Sequence, residues 1–443
     1  MAFITMRWIL YNIAFAVAYL FLTPHFLLRM WRRGGYRRGF MQRFGVYDSP
    51  TRLKLSESRR IWVHAVSVGE MHIALNVIEQ YRRGEPFARF VVSTTTSTAH
   101  AMARRGLSAD HVLIYFPIDF PVIMRRVLGI IQPRAILVTE VELWPNLTRL
   151  AAGRGVPVMV INGRLSERSF RGYRRLRGLF AEVVNVMDRV CVQSPADAQR
   201  FRELGCDEDR LRILGSMKYD TTAAGDDDAD AARRILDALG VASDTILLVG
   251  GSTWDGEERV LLDIYKVLKE RKRELFLVLV PRHFERGDAV AAEIESSGLR
   301  CLRRSQPSSL SPTEESSVLL VDTTGELKGF YACASVVFVG KSLTQHGGQN
   351  VIEPAAYARP VVVGPNMENF AQIMEDFRSQ DAIIQVASAR ELESELMSLV
   401  LDAERRQEIG ERARRVIDSK SGAVAATLRE IRDVLGVETE HVV

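Results

Sequence analysis

Cysteine is scarce. The four in 443 residues, Cys191, Cys206, Cys301 and Cys333, stand far apart, form no Cys-x-x-Cys and have no histidine at metal-ligand spacing. That excludes a disulfide framework and a zinc knuckle, and leaves buried thiols in a reducing compartment. No Walker A lysine loop is present and no Gly-x-Gly-x-x-Gly follows a first strand, so kinase, ATPase and dehydrogenase readings fall. Asp-x-Asp, which holds a divalent metal in many sugar transferases, occurs only in "CDEDR" and "DDDAD". Both read as solvated turns, and no metal site is expected. There is also no long low-complexity tract, and no acidic residue precedes Asp48.

What is present is a folded chain of 47% hydrophobic residues, too long for a single core. Its net charge of +4 hides an asymmetry: residues 1–220 hold 33 Lys and Arg against 18 Asp and Glu, and residues 221–443 hold 26 against 37. The first half therefore prefers an anionic partner. Its cations are not interleaved with aromatics in an RNA-binding pattern, so nucleic acid is not expected and a membrane surface or anionic lipid fits better. "WILYNIAFAVAYLFLTPHFLL", Trp8 to Leu28, is long enough at ~1.5 Å per residue to span roughly 30 Å of hydrocarbon. Arg29, Arg32, Arg33, Arg37, Arg38 and Arg43 follow it, which by the positive-inside rule keeps the body of the protein in the cytoplasm behind a single N-terminal anchor. The competing readings are a helix that docks on the protein itself and one that lies in a single leaflet.

From Arg60 onward, short β-branched runs alternate with helical stretches, the signature of parallel sheets covered by helices on both faces. "IWVHAV", "FVVST", "HVLIYFP", "AILVTE", "VPVMVIN", "VCVQS" and "LRILG" come first, then a linker-like "TTAAGDDDADAARR". "TILLVGGS", "LFLVLVP", "SVLLVD", "VVFVGKS", "RPVVVGP" and "IIQVA" follow. The expected organisation is an anchor and basic segment over 1–47, a Rossmann-like domain over 48–220 and a second over 221–443. The last helix is free to pack back on the first domain. Two such domains in series usually face each other across a cleft, with ligands at the carboxyl ends of the strands.

Those ends carry the chemistry. In "HAVSVGE", Ser67 and Gly69 form a turn and Glu70 falls in the first turn of the next helix. It is either simple dipole complementarity or a carboxylate placed to accept a proton from an attacking hydroxyl. Glu140 and Glu142 in "TEVELWPN" are a sugar-binding pair or ion-pair partners of nearby arginines such as Arg164 and Arg168. With those arginines, Ser93, Thr94 and Thr95 suit a phosphorylated acceptor. In the second half, Gly251-Ser252, Arg282, Gly340-Lys341 and "HGGQNVIE" describe a nucleotide pocket. Arg282 and Ser252 can meet a phosphate, and Glu353 can accept from ribose hydroxyls. Asn350-x-x-Glu353 also fits a capping box, and Gly347-Gly348 would let a helix amino end approach an anion closely.

"HAVSVGE", "TEVELWPN", "NGRLSERS", "GGST", "PRH" and "HGGQN-x-x-E-x-A" stand here in one order. In that order, over essentially its whole length, the chain resembles the 3-deoxy-D-manno-octulosonic acid (Kdo) transferases of Gram-negative bacteria. The resemblance implies a GT-B glycosyltransferase that moves Kdo from CMP-Kdo to a lipid A precursor in lipopolysaccharide biosynthesis, at the cytoplasmic face of the inner membrane. Glu70 then matches the general base of an inverting attack on the anomeric carbon. Arg282, Asn350 and Glu353 match positions that hold CMP, with Gly251 and Ser252 lining the same pocket. No cofactor or essential metal is implied. Where the family has Gly-Gly-Ser the chain has Gly340-Lys341-Ser342, so Lys341 is an extra phosphate contact or points away. Two rival readings remain open: a GT-B transferase using a UDP-sugar and a membrane lipid, and a non-catalytic membrane-anchored lipid- or nucleotide-binding protein.

Overall fold

The computed structural model describes residues 2–33, 39–140, 142–222, 226–306 and 317–437. The β-branched runs become parallel strands because they are apolar on both faces, and a sheet hidden on both faces needs no alternation. In the first sheet these are β1 (Ile61–His64), β2 (Phe90–Thr94), β3 (Val112–Tyr115), β4 (Ala135–Thr139), β5 (Val158–Gly163), β6 (Arg189–Val192) and β7 (Leu211–Ile213). Their order is β3-β2-β1-β4-β5-β6-β7, and every pair is parallel. The second sheet holds β8 (Ile246–Thr253), β9 (Leu275–Pro281), β10 (Arg300–Arg303), β11 (Ser317–Leu320), β12 (Val336–Val339), β13 (Val361–Val363) and β14 (Ile384–Gln385). It runs β10-β11-β9-β8-β12-β13-β14, again all parallel. Both are doubly wound, so each has a switch point where the winding reverses: between β1 and β4 in one, between β8 and β12 in the other.

One compact unit comprises Met1–Thr221 and Ser421–Val443, the other Thr222–Lys420. The closing helix Ala423–Leu435 belongs to the first unit. Val424, Leu428 and Ile431 enter that unit's core, and Glu430 and Asp433 pair with Arg189 at 2.9 and 2.8 Å.

The helix Ala2–Arg33 opens the chain, and its Met6–Pro24 stretch is long and apolar enough to cross a membrane by length and composition. It has two different faces. Trp8 is buried in the first unit's core, its indole donating to Glu182 at 2.8 Å, and the rings of Phe15 and Tyr19 meet Phe120 edge-on. Ile9, Leu10, Ile13, Val17, Leu20 and Phe21 are exposed. The side chains of Arg29, Arg32 and Arg33, and all of Arg37 and Arg38, lie outside the described residues. Arg43, read with them as a surface cation, is buried instead: it donates to the Thr95 carbonyl at 2.8 Å and stacks on Tyr115.

Candidate functional site

In the first unit, the turn after β1 starts the helix Val68–Gly84 with Ser67 as its N-cap. Ser67 Oγ accepts from the Glu70 amide at 3.2 Å, and Glu70 Oε1 accepts in return from the Ser67 amide at 3.2 Å, a complete capping box. Oε2 accepts from the Val66 amide at 2.8 Å and, at 3.1 Å, from the Thr139 hydroxyl, whose one proton is shared with the His64 carbonyl at 2.8 Å. Thr139 ends β4, so Glu70 is held across the switch point by a residue from the neighbouring strand. Of a carboxylate's roughly four acceptor positions, three are filled and one remains on Oε1.

Two more carboxylates share this end of the sheet. Burial pushes Glu142 up to about 7, with the negative charges of Glu70 and Glu140 adding to the rise. Burial also raises Glu140, while Lys218 and Arg164 pull it back and Glu70 works with burial. Three mutually repelling acids at a switch point, one of them able to hold a proton near neutral pH, can accept and relay a proton. Glu140 adopts φ 55°, a left-handed conformation that costs a non-glycine residue about 1–2 kcal/mol. Lys218, in the loop after β7, is the cation that sequence reasoning missed; no local pattern joins it to Glu140.

The remaining predicted residues of this unit divide. Arg164 and Arg168 are exposed, and Gly69 lies in the first turn of the Val68–Gly84 helix. Ser93 and Thr94 do not present free hydroxyls. Both are buried, Ser93 Oγ accepts from the Trp62 indole at 2.7 Å and meets His64 Nδ1 at 3.0 Å, and Thr94 points its hydroxyl at the Val66 carbonyl. They belong to an interior strand with both faces covered, so their hydroxyls serve the core. Thr95 is half-buried, and its carbonyl receives Arg43.

In the second unit the residues after β8 and β12 meet at the switch point. Gly251 must be glycine, since a Cβ there would sit 2.1 Å from the Tyr331 hydroxyl. Gly340 is equally constrained by the backbone at Ser252 and Thr253. Ser252 and Lys341 are both left-handed, at φ 52° and 56°. Glu257, fully buried in the first turn of the helix Glu257–Arg271, binds the two turns together. Its Oε2 accepts from the amides of Trp254 (2.9 Å) and Lys341 (2.8 Å), and its Oε1 from those of Ser342 and Leu343 (both 2.9 Å). Arg282 is exposed, with no ion-pair partner among the described residues, while its amide donates to the Thr253 carbonyl.

The "HGGQNVIE" loop departs from expectation. Asn350 and Glu353 do not form a capping box: Asn350 Oδ1 accepts from the Ile352 amide at 3.1 Å, two residues on, and its Nδ2 donates to Glu353 Oε1 at 3.2 Å. The helix that starts there, Ile352–Ala356, has five residues, too few for a strong dipole. Gly347 and Gly348 have φ 109° and 69°, and a Cβ on either would strike Asn369 or Met367. Their amides are committed within the loop, to Glu368 at 2.8 Å and the Lys341 carbonyl at 2.9 Å. Both glycines answer to the turn itself before any ligand.

A family model described as "3-Deoxy-D-manno-octulosonic-acid transferase (kdotransferase)" matches residues 38–221. The 3-deoxy-D-manno-octulosonic acid transferase of Bordetella pertussis is 32% identical over 431 residues, covering 94% of this chain and 97% of that protein. Its counterpart from Haemophilus influenzae is 29% identical over 403 residues, covering 90% and 92%. Among solved structures, the UDP-GlcNAc 2-epimerase of Neisseria meningitidis matches with a TM-score of 0.55 at 11% identity, over 86% of this chain and 100% of that one. A glycosyltransferase from Rickettsia africae matches with 0.53 at 12%, over the same shares. At such identities the likeness shows the fold, which is GT-B, with two doubly wound parallel sheets.

Proposed function

Because the chain belongs to the 3-deoxy-D-manno-octulosonic acid transferase family and is thus a glycosyltransferase, we propose that it moves Kdo from CMP-Kdo to a lipid A precursor, with inversion and with Glu70 as general base. The observation that carries this reading is the Glu70 carboxylate, fixed by Val66, Ser67 and Thr139 with one acceptor position left open. An acceptor hydroxyl donating to that position loses its proton to Glu70 as its oxygen bonds to the anomeric carbon. The bond from that carbon to the phosphate oxygen breaks, and CMP leaves with the electron pair. Glu140 and Glu142 hold the acceptor sugar or support Glu70, with Arg164 and Arg168 toward its phosphate.

The second unit takes the donor. Arg282 and the Ser252 turn meet the CMP phosphate, and Glu353, whose Oε1 is occupied by Asn350, offers its other oxygen to the ribose. The donor phosphodiester carries one negative charge and gains a second as CMP leaves, a load that such cationic and hydrogen-bonding groups can stabilise, so no metal is required. The N-terminal helix, docked by Trp8 and apolar on its outer face, brings the first unit to the cytoplasmic surface of the inner membrane.

The test is incorporation of labelled Kdo into a lipid A precursor, with CMP-Kdo generated in place, with and without EDTA, and with UDP-sugars as competing donors. Transfer from CMP-Kdo that survives EDTA is expected. Transfer only from a UDP-sugar, or only with added metal, overturns the donor or the metal-free step respectively.

A further inference from the structure

Lys341 sits where a lysine is expensive. Its φ of 56° is one that glycine adopts freely and other residues resist. The backbone has no slack there: the Lys341 amide donates to buried Glu257 at 2.8 Å and its carbonyl accepts from Gly348 at 2.9 Å. A strained conformation so fully determined by its surroundings points to a role for the side chain it carries.

That side chain has no carboxylate partner among the described residues. Its ammonium rests over the Trp254 ring, 4.8 Å from the centroid, and a Cβ built on Gly347 would lie 3.8 Å from Nζ. An ammonium parked on an indole keeps its three donors for something else. The place is the end of β12 at the switch point, beside the equally left-handed Ser252 near the end of β8. Glu257, the buried carboxylate of this turn, is spent on four backbone amides.

We propose that Lys341 pairs with an anionic oxygen of the donor and sets donor affinity, an inference that rests on the CMP-sugar reading of this unit. Two oxygens of the donor have the right chemistry, those of the phosphate and those of the sugar carboxylate. An ammonium serves either, as a point charge.

The experiment uses the full-length protein, Lys341→Gly and Lys341→Arg, with two readouts: titration with CMP alone and steady-state kinetics with CMP-Kdo. Glycine takes the observed φ without strain, so Lys341→Gly keeps the turn while removing the charge. Without this charge-assisted hydrogen bond the donor KM should rise about 10-fold or more, with kcat little changed. Lys341→Arg should recover most of the affinity. If CMP binding weakens by the same factor, the partner is the phosphate. If CMP binds as before and only the donor KM rises, the partner is the sugar carboxylate. Unchanged KM and unchanged CMP affinity in Lys341→Gly overturn the proposal. A wild-type protein that does not bind CMP overturns the donor reading itself, and the titration of wild type alone reports that separately.

Discussion

Glu70 caps a helix and is proposed as the general base, two roles that one substitution can separate. As the N3 residue of a capping box it could be replaced by Gln, since the box is built as readily with an amide. In Glu70→Gln the carboxamide oxygen can take the place of Oε2, keeping the bonds from the Val66 amide and the Thr139 hydroxyl. The amide nitrogen then faces the Ser67 N–H, the longest of the three hydrogen bonds at 3.2 Å. Losing that one bond costs about 1 kcal/mol, or about 2–4 °C in a unit of this size. Basicity is lost altogether, which should lower kcat about 100- to 10,000-fold. Glu70→Ala removes base and cap together, leaving two backbone donors without their acceptor at about 1–3 kcal/mol each, and should melt well below Glu70→Gln. The assays are labelled-Kdo transfer and thermal unfolding of both variants beside wild type. A Glu70→Gln enzyme within a few-fold of wild type would refute the general base. Two variants equally inactive and equally unstable would reduce Glu70 to a helix cap.

The other expectations concern charge and packing. Glu142 has its folded pKa raised to about 7, so it binds more protons folded than unfolded, and its contribution to stability falls as pH rises from the ordinary carboxylate range through 7. Glu142→Gln should therefore match wild type in melting temperature near pH 5 and exceed it near pH 8; a gap independent of pH would be the wrong result. Glu257→Ala removes a fully buried carboxylate that holds four amides, one buried and three part-buried, and should cost the second unit at least about 3 kcal/mol, seen by calorimetry as an earlier transition and weaker CMP binding. Trp8→Ala should destabilise the first unit by about 3–5 kcal/mol, because this ring fills its core. Deletion of residues 1–28 should likewise lower the melting temperature as well as release the protein from membranes. A truncated protein as stable as the parent would show the helix to be a detachable anchor.

Strands were legible as short apolar runs, and all thirteen runs are strands, most of them buried on both faces and two, β7 and β14, partly exposed at sheet edges. The strand that was missed, β10, reads Arg-Cys-Leu-Arg: it lies at the sheet edge, only Leu302 is buried, and no run forms. Local patterns misled more than once: "DDDAD", read as a solvated turn, opens the helix Asp226–Ala238. Asn350-x-x-Glu353 and Ser67-x-x-Glu70 fit the same capping rule, and the second is the one that closes, because its helix starts at once and runs to Gly84. The first begins later and lasts five residues. Ser93 and Thr94 have the chemistry of acceptor ligands, but strand period and burial assign their hydroxyls to the interior. Lys218 and Glu257 act on residues 78 and 84 positions away, Glu140 and Lys341, and such pairings exist only once the sheet order is known.

Backbone strain shows which strand ends matter. Of the seven non-glycine residues with positive φ among those described, Glu140 and Lys341 follow β4 and β12, Ser252 lies near the end of β8, all at the two switch points, and Asn162 lies on β5 beside β4. A turn that needs positive φ selects glycine unless the side chain is worth more than the strain. At Gly251 and Gly340 the neighbouring atoms leave no room for a side chain, and glycine is found. At Ser252 and Lys341, which adjoin them, and at Glu140 in the first unit there is room, and a hydroxyl, an ammonium and an acid are found instead of glycine. Steric need explains the glycines, and no such need selects the other three side chains. The proposed function gives each of them a substrate to meet, and substituting glycine for each tests that role with the least risk to the fold.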